Sequence, residues 1–138
     1  MRRIALCLAF LVPVQALAQD YAAGTLSIEL NSVETVEAAC RMSFLIQNGH
    51  DADIDKAVFE AVLFDQGGTV DRLTLFDFGA LPAGRPRVRQ FMVPDLSCEA
   101  LGQVLINGVQ SCQSGEAESA LCGKGLRLRS RIAVEVIG

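Results

Sequence analysis

The stretch from Val58 to Phe78, VFEAVLFDQGGTVDRLTLFDF, constrains the fold of this chain more than any other. Val58, Phe59, Val62, Leu63 and Phe64 are residues that favour strands, and Val70, Leu73, Leu75, Phe76 and Phe78 repeat the pattern after Gln66-Gly67-Gly68. Glycine tolerates positive φ, so Gly67 and Gly68 allow a tight reversal and the stretch reads as a β-hairpin. In Val58–Phe64 apolar residues fall on both alternating faces. Such a strand belongs in the middle of its sheet, and its second face needs another sheet or a partner to cover it.

The remaining strands follow from period-two alternation and turn signals. Thr25–Leu30 alternates cleanly, with Leu26, Ile28 and Leu30 on one face. Val33–Ala39 reads as a connection or a helical turn, and Cys40–Gln47 places Cys40, Met42, Phe44 and Ile46 inward. The polar loop Asn48–Lys56 precedes the hairpin, and Leu81-Pro82-Ala83-Gly84 forms the next turn. Arg85–Val93 is a strand whose Pro86 suits an edge or a strand start. Pro94–Leu101 holds a helical turn, Gln103–Val109 is a strand and Cys112–Gly125 a loop. Leu126–Ile137 carries the longest alternation, with Leu126, Leu128, Ser130, Ile132, Val134 and Val136 opposed to Arg127, Arg129, Arg131, Ala133 and Glu135. No stretch has the pattern of a long amphipathic helix. The expected fold is all-β, an immunoglobulin-like antiparallel β-sandwich of about seven strands, with a small barrel as the alternative.

Met1–Ala18, MRRIALCLAFLVPVQALA, has two arginines, an apolar run and Ala16-Leu17-Ala18, the pattern of a cleaved secretory signal. The run is shorter than the roughly 20 residues that span a bilayer. Residues 19–138 then form a single domain in a periplasmic or secreted compartment. Of the 138 residues, removing these 18 deletes two arginines and takes the formal net charge from −4 to −6. That sign excludes a nucleic-acid partner, whose phosphates demand positive charge.

Four cysteines remain: Cys40, Cys98, Cys112 and Cys122. In an oxidising compartment an even set reads as disulfides, and four cysteines admit three pairings. If the second and fifth strands are antiparallel neighbours, the start of the former at Cys40 lies near Cys98. Cys112 and Cys122 then staple the last loop. The expected bridges are therefore Cys40–Cys98 and Cys112–Cys122, each contributing about 2–4 kcal/mol. Without a Cys-x-x-Cys pair, neither a zinc site nor thiol redox chemistry fits, and no metal or cofactor is expected. Asp51, Asp53 and Asp55 begin like a calcium loop, but Lys56 and Val62 stand where Gly and Glu are needed. His50, the only histidine, reads as a surface residue, and Asp65 with Asp71 reads as turn chemistry. No serine has a nucleophile context, so no enzyme is expected.

Arginine spacing supplies the one candidate contact surface. Arg85, Arg87 and Arg89 share one face of a strand, and Arg127, Arg129 and Arg131 share one face of another. Together they suit carboxylates or phosphates, which pair bidentately with guanidinium. The plainer reading is a pair of solvated strand faces, and in the conventional strand order the two stripes lie in different sheets.

The order of parts resembles the small bacterial immunoglobulin-like modules of the FxLYD type. Asn48-Gly49, Leu63-Phe64-Asp65 before Gly67-Gly68, and Leu81-Pro82-Ala83-Gly84 followed by Phe91 carry the resemblance. It implies an extracytoplasmic immunoglobulin-like fold without catalysis. The functional expectation is a binding or accessory module for an envelope protein, acting through a sheet face or an edge strand. The alternatives are a binder of anionic small molecules or envelope polymers through the arginines, or a structural homo-oligomer.

Overall fold

The computed structural model describes residues 22–138, so the expected signal segment lies outside the described residues. Nine strands form two sheets packed face to face in a β-sandwich: β1 (Leu26–Val36), β2 (Ala39–Asn48), β3 (Ile54–Asp65), β4 (Val70–Leu81), β5 (Pro86–Pro94), β6 (Leu101–Ser114), β7 (Ala117–Glu118), β8 (Leu126–Ser130) and β9 (Glu135–Ile137). One sheet has the order β5-β2-β1-β8. The other has the order β4-β3-β6-β7, with β9 also paired to β6. A short 3-10 turn, Cys98–Ala100, leads from β5 into β6. Among the described residues, no helix is long and apolar enough to cross a membrane.

Several elements differ from the sequence expectation; the expected loop Cys112–Gly125 is one, since β6 runs on to Ser114 and β7 follows within it. Val33–Ala39 is neither helical nor a loop: β1 runs on to Val36 and returns through a two-residue turn, Val36 pairing with Ala39 and Glu37 taking φ 53°. A bulge between Leu30 and Ser32 shifts the alternation and hides the second half of the strand. The last stretch is two strands, β8 in one sheet and β9 in the other, with irregular chain between them. Its alternation persists because both halves turn their apolar side chains to the same core, where Val134 and Val136 are buried and Leu128 and Ile132 pack against them. The sandwich is also not wholly antiparallel, since β8 runs parallel to β1 and β9 parallel to β6.

The core lies between the inner faces. Leu26, Ile28, Leu30, Met42, Phe44 and Ile46 of one sheet meet Phe59, Ala61, Leu63, Phe76, Phe78 and Ile106 of the other. Phe44 reaches across to the other sheet, with ring centroids 5.3 Å from Phe76 and 5.6 Å from Phe78, and lies 5.9 Å from Phe91 of its own sheet. Each tilted or edge-on aromatic pair adds about 0.5–1.5 kcal/mol beyond the area it buries. The hairpin turn is held by Asp65, whose Oδ1 accepts the amides of Gly67 and Thr69, both at 2.9 Å, while Gly68 takes φ 81°.

Two disulfides close the ends of the sandwich. Cys40 at the start of β2 is bonded to Cys98 in the 3-10 turn, and Cys112 of β6 to Cys122 in the loop before β8. They enclose sequence separations of 58 and 10 residues. On the loop-entropy account that amounts to about 4 and about 3 kcal/mol.

Candidate functional site

The two arginine stripes do not form one surface. β5 and β8 lie in the same sheet rather than in different ones, at its opposite edges. In β5, Arg89 stands opposite Phe44 and Arg87 opposite Ile46. Antiparallel partners share a face, so both arginines lie on the core-facing side with Phe91 and Val93. It is Val88 and Met92 that point outward, 60% and 51% exposed. At this edge Arg89 reaches from one sheet to the other. Its Nε donates to the Phe78 carbonyl at 2.7 Å and its Nη2 to that of Ala80 at 3.0 Å, both on β4. Arg72 of β4 reciprocates, donating from Nη1 to Pro94 O at 2.6 Å and from Nη2 to Asp95 O at 3.3 Å. The pair forms a clasp between two edge strands. Arg85 is exposed in the turn ahead of β5.

At the other edge, Arg127 and Arg129 stand beside Ser27 and Glu29 of β1, on the outer face. Arg131 lies past the end of β8, and its backbone amide donates to Leu30 O. Only two of the six arginines are therefore neighbours on an outer strand face.

The acidic loop and the histidine are used in tying loops together. Asp53 Oδ1 accepts the Ala83 amide at 2.8 Å, and Asp55 Oδ2 accepts the Gly115 amide at 2.6 Å. His50 is not a surface residue: it is 7% exposed, and its Nε2 lies 2.9 Å from Leu121 O, one residue before the Cys122 bridge. Among the described residues, no group of three His, Cys, Asp or Glu side chains is placed to hold a metal ion.

The surface missed at the sequence level is the outer face of the five-stranded sheet. Leu73 of β4 stands opposite Val62 of β3, Val62 opposite Leu105 of β6, and Leu105 opposite Ile137 of β9. Four apolar residues in register thus cross the sheet in a straight row about 14 Å long at normal strand spacing. Leu73 is 61% exposed and Ile137 41%, while Val62 is sheltered by its neighbours. A second row, Val70 opposite Phe64, adds to it on one side, and Leu75 opposite Glu60 on the other. The charges that border these rows are Glu60, Asp77 and Glu135. Lys56 lies on the same face but six residues from Val62, about 20 Å along the strand. The expectation that β3 is covered on both faces is met by the second sheet on one side only.

No family model, curated protein or solved structure matches this chain.

A smaller feature sits on the outer face of the four-stranded sheet. Gln47 at the end of β2 is 4% exposed, and its Oε1 accepts no hydrogen bond among the described residues. It lines a notch of about 50 Å³ together with Thr25, Ser27, Arg127 and Arg129.

Proposed function

We propose that this chain is a non-catalytic, extracytoplasmic binding module of immunoglobulin-like build that recognises a protein partner through the outer face of β4, β3, β6 and β9. The row Leu73–Val62–Leu105–Ile137 carries this reading. Exposed apolar area gathered in one patch and bordered by polar residues is how soluble domains mark interaction surfaces. The carboxylates of Glu60, Asp77 and Glu135 give the patch an acidic rim, so the partner presents an apolar strip bordered by lysine or arginine. Two copies meeting through this face would bring their own acidic rims together, which favours a different chain over self-association.

The immunoglobulin-like assignment, and with it the resemblance to FxLYD-type modules, is supported by strand order. The first, second and fifth strands share one sheet, and the third, fourth and sixth the other. The extracytoplasmic address rests on the signal-like Met1–Ala18 and on two disulfides, which persist in oxidising compartments. The clasp weakens the alternative of strand addition at β4, because Arg89 already occupies the Phe78 and Ala80 carbonyls there.

Affinity capture from the source envelope fraction tests the proposal with three baits: the oxidised protein, Leu73→Asp/Leu75→Asp, and Arg127→Ala/Arg129→Ala. A protein held by the first and third baits through a high-salt wash and lost from the second is the expected result. A partner retained by the aspartate variant and lost from the arginine variant would refute the reading.

A further inference from the structure

We propose that the notch between the ends of β1, β2 and β8 binds a small carboxylate that carries a hydrogen-bond donor next to its carboxyl group. The site is separate from the apolar sheet face and does not depend on it. Two independent observations point to such a ligand. The first is Gln47, whose buried Oε1 has no donor among the described residues. A buried acceptor left without a partner is costly, and native proteins leave few of them, so it calls for an N–H or O–H from outside the chain. The second is the pair Arg127 and Arg129, which line the same notch. The ion pairs among the described residues are Arg41–Glu34 and Arg72–Asp71, both elsewhere. Glu29, the cross-strand neighbour of Arg129, instead accepts from Asn31 Nδ2 at 3.2 Å. Two guanidinium groups two residues apart on an edge strand thus present forks for one oxyanion.

An anion without a hydrogen-bond donor does not answer both demands. Chloride or sulfate satisfies the arginines and leaves Gln47 orphaned, whereas a water molecule satisfies Gln47 and leaves the arginines without a counter-charge. A carboxylate with an adjacent N–H or O–H does both, and the Ser27 hydroxyl and Thr25 at the rim offer further polar contacts. Size narrows the class further. About 50 Å³ is a third of the roughly 150 Å³ that admits a benzene ring, so a carboxyl group and its neighbouring atoms fit while a sugar ring or a base does not. The chemistry is shared by 2-hydroxy acids and by N-acylated amino acids, including a peptide C-terminus.

NMR titration of the oxidised, isotopically labelled protein with N-acetylalanine, 2-hydroxypropanoate and propanoate separates these sources. The expected result is saturable shifts at Gln47, Ser27 and Arg129 with the first two. Propanoate, which lacks the donor, should bind about five- to ten-fold more weakly, the worth of one hydrogen bond. N-acetylalanine exceeding 2-hydroxypropanoate identifies the acylated source, and the reverse order the hydroxy acid. Gln47→Met keeps the shape and removes the acceptor, so it should abolish the preference over propanoate while leaving the fold intact. Arg127→Gln/Arg129→Gln should weaken all three ligands together. Equal binding of the three carboxylates, or no saturable shift at tens of millimolar, would overturn the proposal and leave the notch to solvent.

Discussion

The two sheets contribute matching inner faces to one core, yet their outer faces are unlike. On the four-stranded sheet the outward residues are mostly polar and of mixed charge: Ser27, Glu29, Arg41, Ser43, Arg127 and Arg129 surround a single apolar pair, Leu45 opposite Val88, with Met92 further along β5. Gln90 Nε2 donates there to Ser43 Oγ at 2.9 Å, and Arg41 pairs with Glu34. This is the usual surface of a half-buried sheet. On the five-stranded sheet one outward residue from each of four neighbouring strands is apolar and aligned with the next, and the bordering charges Glu60, Asp77 and Glu135 are acidic. Folding accounts for the inner faces and for the polar outer face. It gives no reason for Leu73 and Ile137 to be in register across solvent, and recognition of a partner does.

The comparison is broken most completely by removing what the faces share. Phe44→Ala removes a fully buried ring that packs on three others and should cost about 3–5 kcal/mol in urea unfolding. Opening Cys40–Cys98 through the paired alanine variant should cost about 4 kcal/mol, and opening Cys112–Cys122 about 3 kcal/mol. That order reverses if the loop-entropy account is wrong for this chain. Within β5, Arg89→Met should cost about 1–2 kcal/mol because it strips hydrogen bonds from two edge carbonyls. Arg87→Met should fall within about 0.5 kcal/mol, since its Nη1 reaches only the neighbouring Pro86 carbonyl. Equal costs for the two would dissolve the clasp. The smallest stability effect belongs to Leu73→Asp/Leu75→Asp, about 0.5 kcal/mol or less, although this variant is expected to lose the partner.

Much of this was legible in the chain, and the exceptions have definite causes. Alternation locates strands and sorts residues onto two faces, and the two-sheet architecture and both disulfides follow from it. It does not say which face looks inward. In β5 apolar residues occupy both faces, Val88 and Met92 on one and Phe91 and Val93 on the other, so alternation alone does not place Arg87 and Arg89. Partner register, a non-local property, decides the matter through Phe44 and Ile46. The hydrogen bond that accompanies the burial of His50 is made to Leu121 O, 71 residues away in sequence, where local pattern does not reach. The apolar row was invisible for the same reason, since Leu73, Val62, Leu105 and Ile137 come from four strands and meet only through pairing. Val58 and Val62 did carry a signal, as outward residues of a strand too apolar for one covered face.

Two apolar positions of nearly equal exposure stand on opposite outer faces, Leu73 at 61% and Val88 at 60%. Placing a photo-crosslinking amino acid at each in turn, in the source cells, is the most direct test of the central claim. A discrete protein adduct from position 73 and none from position 88 is the result this account predicts. Adducts from position 88 alone, or the same adduct from both, would contradict it.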